Sequence, residues 1–259
     1  MAGRLVCPGM GEATMRTRPT EIASAVARWV RLGVMLNAAP ADSTPDLEVL
    51  LLDTARAASG HARLFILAAS WLALYDEYVA RHRLAQLIRD ELEPEYRLTM
   101  GMLLDWAATH GQGHCCRFSR AIAACGRPKN GHPLLDIDSA SPELARLAEE
   151  EASPLSKKWG LWFAPFDLKR DALRPVRWIA AKNPALAVRA LTGGDLVASI
   201  LAQGIHNPAS LRSELDLAKQ CGASRPAVRE ALSKLELSGY AHRTRVGHAN
   251  AITLLSPWA

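Results

Sequence analysis

Arg225 and Arg229 stand four residues apart, a spacing that puts two guanidinium groups on one face of a helix. Ser224, just before them, is a capping residue, and Pro226 suits a first helical turn, where no N–H is needed. Val228, Leu232 and Leu235 recur at helical spacing on another face. Upstream, Ser213 and Asp216 have the spacing of a capping box, and Cys221-Gly222-Ala223 separates the two helical patterns. Gly239 closes the second. Paired arginines of this kind can bond the guanine edge, and helix, tight turn, helix is the frame that carries them into a major groove. Beyond Gly239, Tyr240 to Arg245 and Ala249 to Leu255 can pair as a hairpin around Val246-Gly247-His248. That hairpin would bring Arg243, Arg245 and His248 to phosphates or the minor groove.

A second cluster could do different chemistry. His110, His114, Cys115, Cys116, Cys125 and His132 gather after one helical pattern, and zinc takes such ligands. No Cys-x-x-Cys pair is present, and adjacent cysteines make poor co-ligands, so the expected state is a helix end with buried thiols and no metal. Gly193-Gly194 lacks the Gly-Lys-Ser/Thr of a phosphate loop, and no G-x-S-x-G occurs. The expectation is a protein without cofactor or catalytic residues, not an enzyme.

Charge supports a polyanion partner at one end. From Ser156 onward there are 15 Lys and Arg against 7 Asp and Glu, net +8; the rest of the chain holds 16 and 19, net −3. Apolar content of 49% and charged content of 22% are those of a globular protein. Five scattered cysteines fit a reducing compartment better than a disulfide scaffold, so the expected location is the cytoplasm. The longest apolar run, Leu64 to Leu74, is broken by Ser70 and falls short of the roughly 20 residues that cross a bilayer.

The elements that must position these residues are mainly helical. Residues 1–18, with Gly3, Pro8, Gly9 and Gly11, read as a flexible leader. Residues 19–152 read as an all-α domain. Its helices are expected from Glu21 (capped by Thr20) to Asn37, Asp46 to Ser59, His61 to Leu92, Tyr96 to Thr109, Phe118 to Cys125, and Ser141 to Ala152. Residues 153–184 carry four prolines, three of the seven tryptophans and seven Lys or Arg, and read as a basic connector. Such a segment could stack on bases, although its aromatics more often anchor a connector onto its neighbours. Residues 185–259 read as a second domain, with a helix from Asp195 to Gln203, then the two helices and the hairpin. Three helices and a hairpin make a winged helix.

Residues 211–250 resemble the DNA-binding domain of the GntR family of bacterial winged-helix repressors. The matches are Leu211, Ser213-Glu214, Leu217-Ala218, Gly222, Ser224-Arg225, Val228-Arg229-Glu230-Ala231-Leu232, Leu235 and Gly239. They cover about 40 residues with the spacing kept. The domain order is the reverse of that family's, and Leu215 stands where many members carry a DNA-contacting Arg. The resemblance implies that Ser224, Arg225 and Arg229 face the major groove. The full expected DNA-contacting set is Ser213, Ser224, Arg225, Pro226, Arg229, Arg243, Arg245 and His248. The expected function is a DNA-binding transcriptional regulator that acts on double-stranded DNA as a homodimer, reads a palindromic site, and offers its helical domain to a ligand or protein partner. The rival reading is an antitoxin or defence-system accessory protein that uses the winged helix for protein contact.

Overall fold

A computed structural model describes residues 19–111, 118–128, 130–136, 141–191, 195–206, 211, 213–246 and 249–255. The expected leader lies outside the described residues. Among those described the chain is mainly α-helical, with thirteen helices and two sheets of two strands each.

The first helix, α1 (Pro19–Arg31), buries Ala25 and Trp29. The Trp29 indole N–H donates to Thr54 Oγ1 at 2.8 Å, and Thr54 donates in turn to Leu50 O. Trp71 meets Trp29 edge to face at 5.5 Å and donates to Leu32 O, so both buried indoles have satisfied polar ends. The sequence pattern extends this helix to Asn37, but it stops six residues earlier. Gly33 adopts φ +89°, and the following residues are taken over by another partner. Arg174 N donates to Gly33 O, Met35 N donates to Ala172 O, and Val34 bridges Leu173.

Helix α2 (Leu47–Ala57) starts on an Asp46 cap and is apolar on nearly every side, and it is enclosed accordingly: Leu47, Leu50, Leu51 and Leu52 are all buried. The stretch His61–Leu92, which reads as one helical region, is divided into α3 (Ala62–Tyr75), a 3-10 turn (Asp76–Tyr78) and α4 (Arg81–Asp90). The break is held by charges from elsewhere. Ala80 N donates to Glu48 Oε1 at 2.8 Å, and Arg189 Nη1 donates to Tyr78 O at 3.2 Å. Both backbone groups are thereby satisfied in the interior, where an orphan would be costly.

Helices α5 (Pro94–His110), α6 (Ser119–Ala124), α7 (Pro142–Glu150), α8 (Pro154–Lys158), α9 (Val176–Lys182) and α10 (Pro184–Leu191) follow. A two-residue parallel pairing joins β1 (His132–Pro133) to β2 (Leu161–Trp162). Three aromatics of residues 153–184 are packing groups. Trp159 is buried over Gly101 and its N–H donates to Asp105 at 2.9 Å. Phe163 meets Phe65 edge to face at 5.7 Å, and Phe166 stacks on Trp106 at 4.4 Å.

The C-terminal part comprises α11 (Leu196–His206), α12 (Glu214–Cys221), α13 (Arg225–Leu237) and an antiparallel hairpin of β3 (Ala241–Val246) and β4 (Ala249–Leu254). Its own small core holds Ile200, Leu217, Val228, Leu232, Leu235 and Ile252. Three helices and a hairpin around one core have the winged-helix architecture. This unit is seated directly on the helical domain. Gly222, the turn between α12 and α13, has φ +65°, and a Cβ there would lie 2.5 Å from Arg83 Cα. Arg83 donates to Asp46 (2.6 Å) and to the fully buried Glu48 (2.7 Å), which also accepts from Arg189 of α10 at 2.7 Å.

Removing one member of a buried ion cluster leaves uncompensated charge. Glu48→Ala is therefore expected to destabilise the chain by about 3–5 kcal/mol in urea unfolding. Glu230→Ala, which removes only an exposed pair with Lys234, should leave the midpoint unchanged.

Candidate nucleic-acid interface

The turn and both helix starts are made locally. Ser213 caps α12: its Oγ accepts from Asp216 N at 3.1 Å and donates to the Asp216 carboxylate at 2.7 Å. Gly222 ends that helix in the left-handed conformation, the usual glycine stop. Ser224 caps α13 by accepting from Ala227 N, and Pro226 occupies its first turn. Ser213 and Ser224 thus spend an oxygen lone pair on helix starts; Ser224 and Pro226 remain at the surface.

Val228, Leu232 and Leu235 are buried, so α13 is fixed with its opposite face outward. Arg225 and Arg229 project from that face with 60% and 56% of their side chains exposed. They are not free. Glu214, at the first position of α12 and only 4% exposed, accepts from Arg229 Nη2 at 2.9 Å, Arg229 Nε at 3.3 Å and Arg225 Nε at 3.3 Å. Arg243, on β3, adds a third guanidinium through Nη1 at 3.4 Å, and also donates to Glu236 and to Ser233 Oγ. One buried carboxylate therefore gathers arginines from both ends of the first turn of α13 and from the hairpin. Among the described residues, Arg225 engages Glu214 by Nε, and Arg229 by Nε and Nη2.

The electrostatics follow from this geometry. Hydrogen bonds from Arg229, then from Arg225, hold the Glu214 carboxyl below its ordinary range against the opposing effect of burial. The hydrogen bond from Arg243 does the same for Glu236. Two carboxylates against three guanidiniums leave the cluster cationic. Arg243 is the most enclosed of the three arginines, at 20% exposure. The Arg245 side chain and His248 lie outside the described residues. Leu215 is exposed beside Glu214 and offers no charge at that position.

Glu214 is the residue that local spacing does not reveal. Its partners lie 11, 15 and 29 positions away, and an acidic residue after a capping Ser reads simply as a favourable helix start. Glu230 and Lys234 form the expected exposed i,i+4 pair at 2.9 Å.

The His and Cys cluster is only partly described. His110 stacks on Trp106 at 4.0 Å and its Nδ1 bonds Trp106 O at 2.9 Å. Cys125 is buried, donates to Ala121 O, and its thiol is pushed up to about 12 by burial. His132 lies in β1, and His114, Cys115 and Cys116 lie outside the described residues. Among the described residues no group of three or more His, Cys, Asp or Glu is placed to hold a metal ion. No described helix is long and apolar enough to cross a membrane.

Comparison of the chain with known protein families, with curated proteins and with solved structures gives no match.

Because the folded-state pKa of Glu214 is lowered, its stabilising contribution is present above the ordinary glutamate value of about 4.3 and is lost as pH falls through the lowered one. Glu214→Gln is expected to be less stable than the parent chain at neutral pH. The gap should close progressively below about pH 4 in denaturant titrations. A gap that stays constant across this range would show that the carboxylate charge is not what the arginines use.

Proposed function

We propose that the chain is a DNA-binding transcriptional regulator that reads double-stranded DNA through its C-terminal winged helix, as the resemblance to GntR-type repressors implies. The observation that carries this reading is the pair Arg225 and Arg229, exposed on one face of α13 and held from behind by the buried Glu214. A guanidinium already oriented loses less freedom when it bonds a guanine edge, and its unengaged terminal nitrogens are the donors that such an edge accepts. Arg243, turned toward Glu236 and Glu214, braces the hairpin against α13 and adds to the cationic surface near passing phosphates. Reading of a palindromic site requires two copies, with half-sites about 34 Å apart on one side of the duplex, so a homodimer belongs to this reading.

A second reading, a protein-interaction component such as an antitoxin or a defence accessory protein, is favoured by apolar side chains at the end of α13 and the foot of the hairpin. Leu237 is 89% exposed, and Tyr240 and Leu255, joined by a backbone hydrogen bond, are also exposed. A stable complex with a neighbouring gene product, without DNA binding, would select it.

Footprinting on the gene's own upstream region should show a protected palindrome, with affinity that falls steeply as salt rises. In a Glu214→Gln background, where no buried carboxylate is left without its partners, replacing Arg225 and Arg229 with Ala should abolish sequence preference in gel shifts relative to Glu214→Gln alone, at about 1–3 kcal/mol of discrimination for each contact. Unchanged binding by the double variant would overturn the groove assignment.

A further inference from the structure

We infer that the helical domain carries a binding site for a small amphipathic carboxylate, an organic acid with an apolar body of about eight carbons. A cavity of about 430 Å³ opens between the end of α1, the turn that follows it, the start of α3 and α9. That volume lies within the range of small-molecule sites. Val30, Val34, Leu36 and the Trp178 ring supply apolar walls, and Arg63 and Arg174 are the charged residues of the lining. Among the described residues no Asp or Glu lines the cavity.

Arg28, Arg56, Arg83, Arg189, Arg225, Arg229 and Arg243 each pair with a carboxylate. Arg63 and Arg174 are exposed, and among the described residues neither guanidinium has a hydrogen-bond or ion-pair partner. Two uncompensated cations beside an apolar concavity form a site with one anionic end and one oily end. A planar guanidinium matches a carboxylate in geometry as well as charge, and the Trp178 face suits an alkyl or aryl body. The walls are built to keep this shape. Gly33 sits at the base with φ +89°, and a Cβ there would come within 3.0 Å of Arg174 Cβ and 3.4 Å of the Trp178 ring, so the turn and α9 close on each other. The Arg174 backbone is tied on both sides, its N–H to Gly33 O and its carbonyl accepting from Tyr75 Oη at 2.9 Å. The guanidinium stem therefore starts from a fixed point.

Calorimetric titration of the full chain with octanoate and with 4-phenylbutanoate tests the site without any DNA present, so its outcome is independent of the groove assignment. At least one of the two acids should bind saturably at one site with Kd below about 1 mM. Acetate and inorganic phosphate, which offer charge without a body, and octanamide, which offers a body without charge, should bind at least about tenfold more weakly. The double substitution Arg63→Gln with Arg174→Gln should weaken acid binding at least about tenfold. Both side chains are exposed, so the thermal melt should not move. Failure of both acids to saturate, octanamide binding as well as octanoate, or an unweakened double variant would each overturn the site.

Discussion

The fully buried carboxylate of Glu48 is the point on which the separate parts of this molecule meet. It accepts from Arg83 of α4, from Arg189 of α10 and from the backbone of Ala80. One side chain therefore holds α2, the break between α3 and α4, and the helix that leads into the winged helix. A carboxylate enclosed in the protein needs such partners, and Glu48 has three, two donors on Oε1 and one on Oε2. Arg83 extends the network to Asp46, the cap of α2, so the start of that helix and the seat of Gly222 belong to the same set of bonds. The winged helix is consequently not tethered by a linker alone; its turn rests on the backbone of an ion-paired residue.

Glu214 repeats the arrangement at the surface with a different result. Its carboxylate is also nearly buried, yet the guanidiniums it gathers are more than half exposed at Arg225 and Arg229. Around Glu48 the arginines are enclosed and serve the fold. Around Glu214 they are held by one edge with the other edge outward, which is the condition for a preorganised donor. The acceptor is buried in both clusters; they differ in the donors, enclosed around Glu48 and open to the surface at Arg225 and Arg229 around Glu214.

The helices were readable because apolar periodicity and caps are local properties. Leu47 to Leu52 signalled a helix enclosed on all sides, Ser213 and Ser224 marked two helix starts, and Val228, Leu232 and Leu235 named the inner face of α13. The places where pattern and structure part are those where a distant partner intervenes. The helix expected to reach Asn37 gives way at Gly33 because residues 172–174 offer its backbone other hydrogen bonds. The helical region expected from His61 to Leu92 is divided because Glu48 and Arg189 can satisfy the groups freed at Tyr78 and Ala80.

By itself, the sequence determined the mainly helical class, the two helices around Gly222, the hairpin after Gly239 and the pair of arginines on one face, since each depends on spacing within a few residues. Tertiary structure decided what those arginines are bonded to, where long helical patterns stop, that Trp159, Phe163 and Phe166 are packing groups, and that Arg63 and Arg174 flank one cavity from residues 111 positions apart. The physical reason is the same in each case. Capping and periodicity are satisfied along the chain, whereas a buried charge or an unpaired backbone group takes whichever partner the packed fold brings within bonding distance.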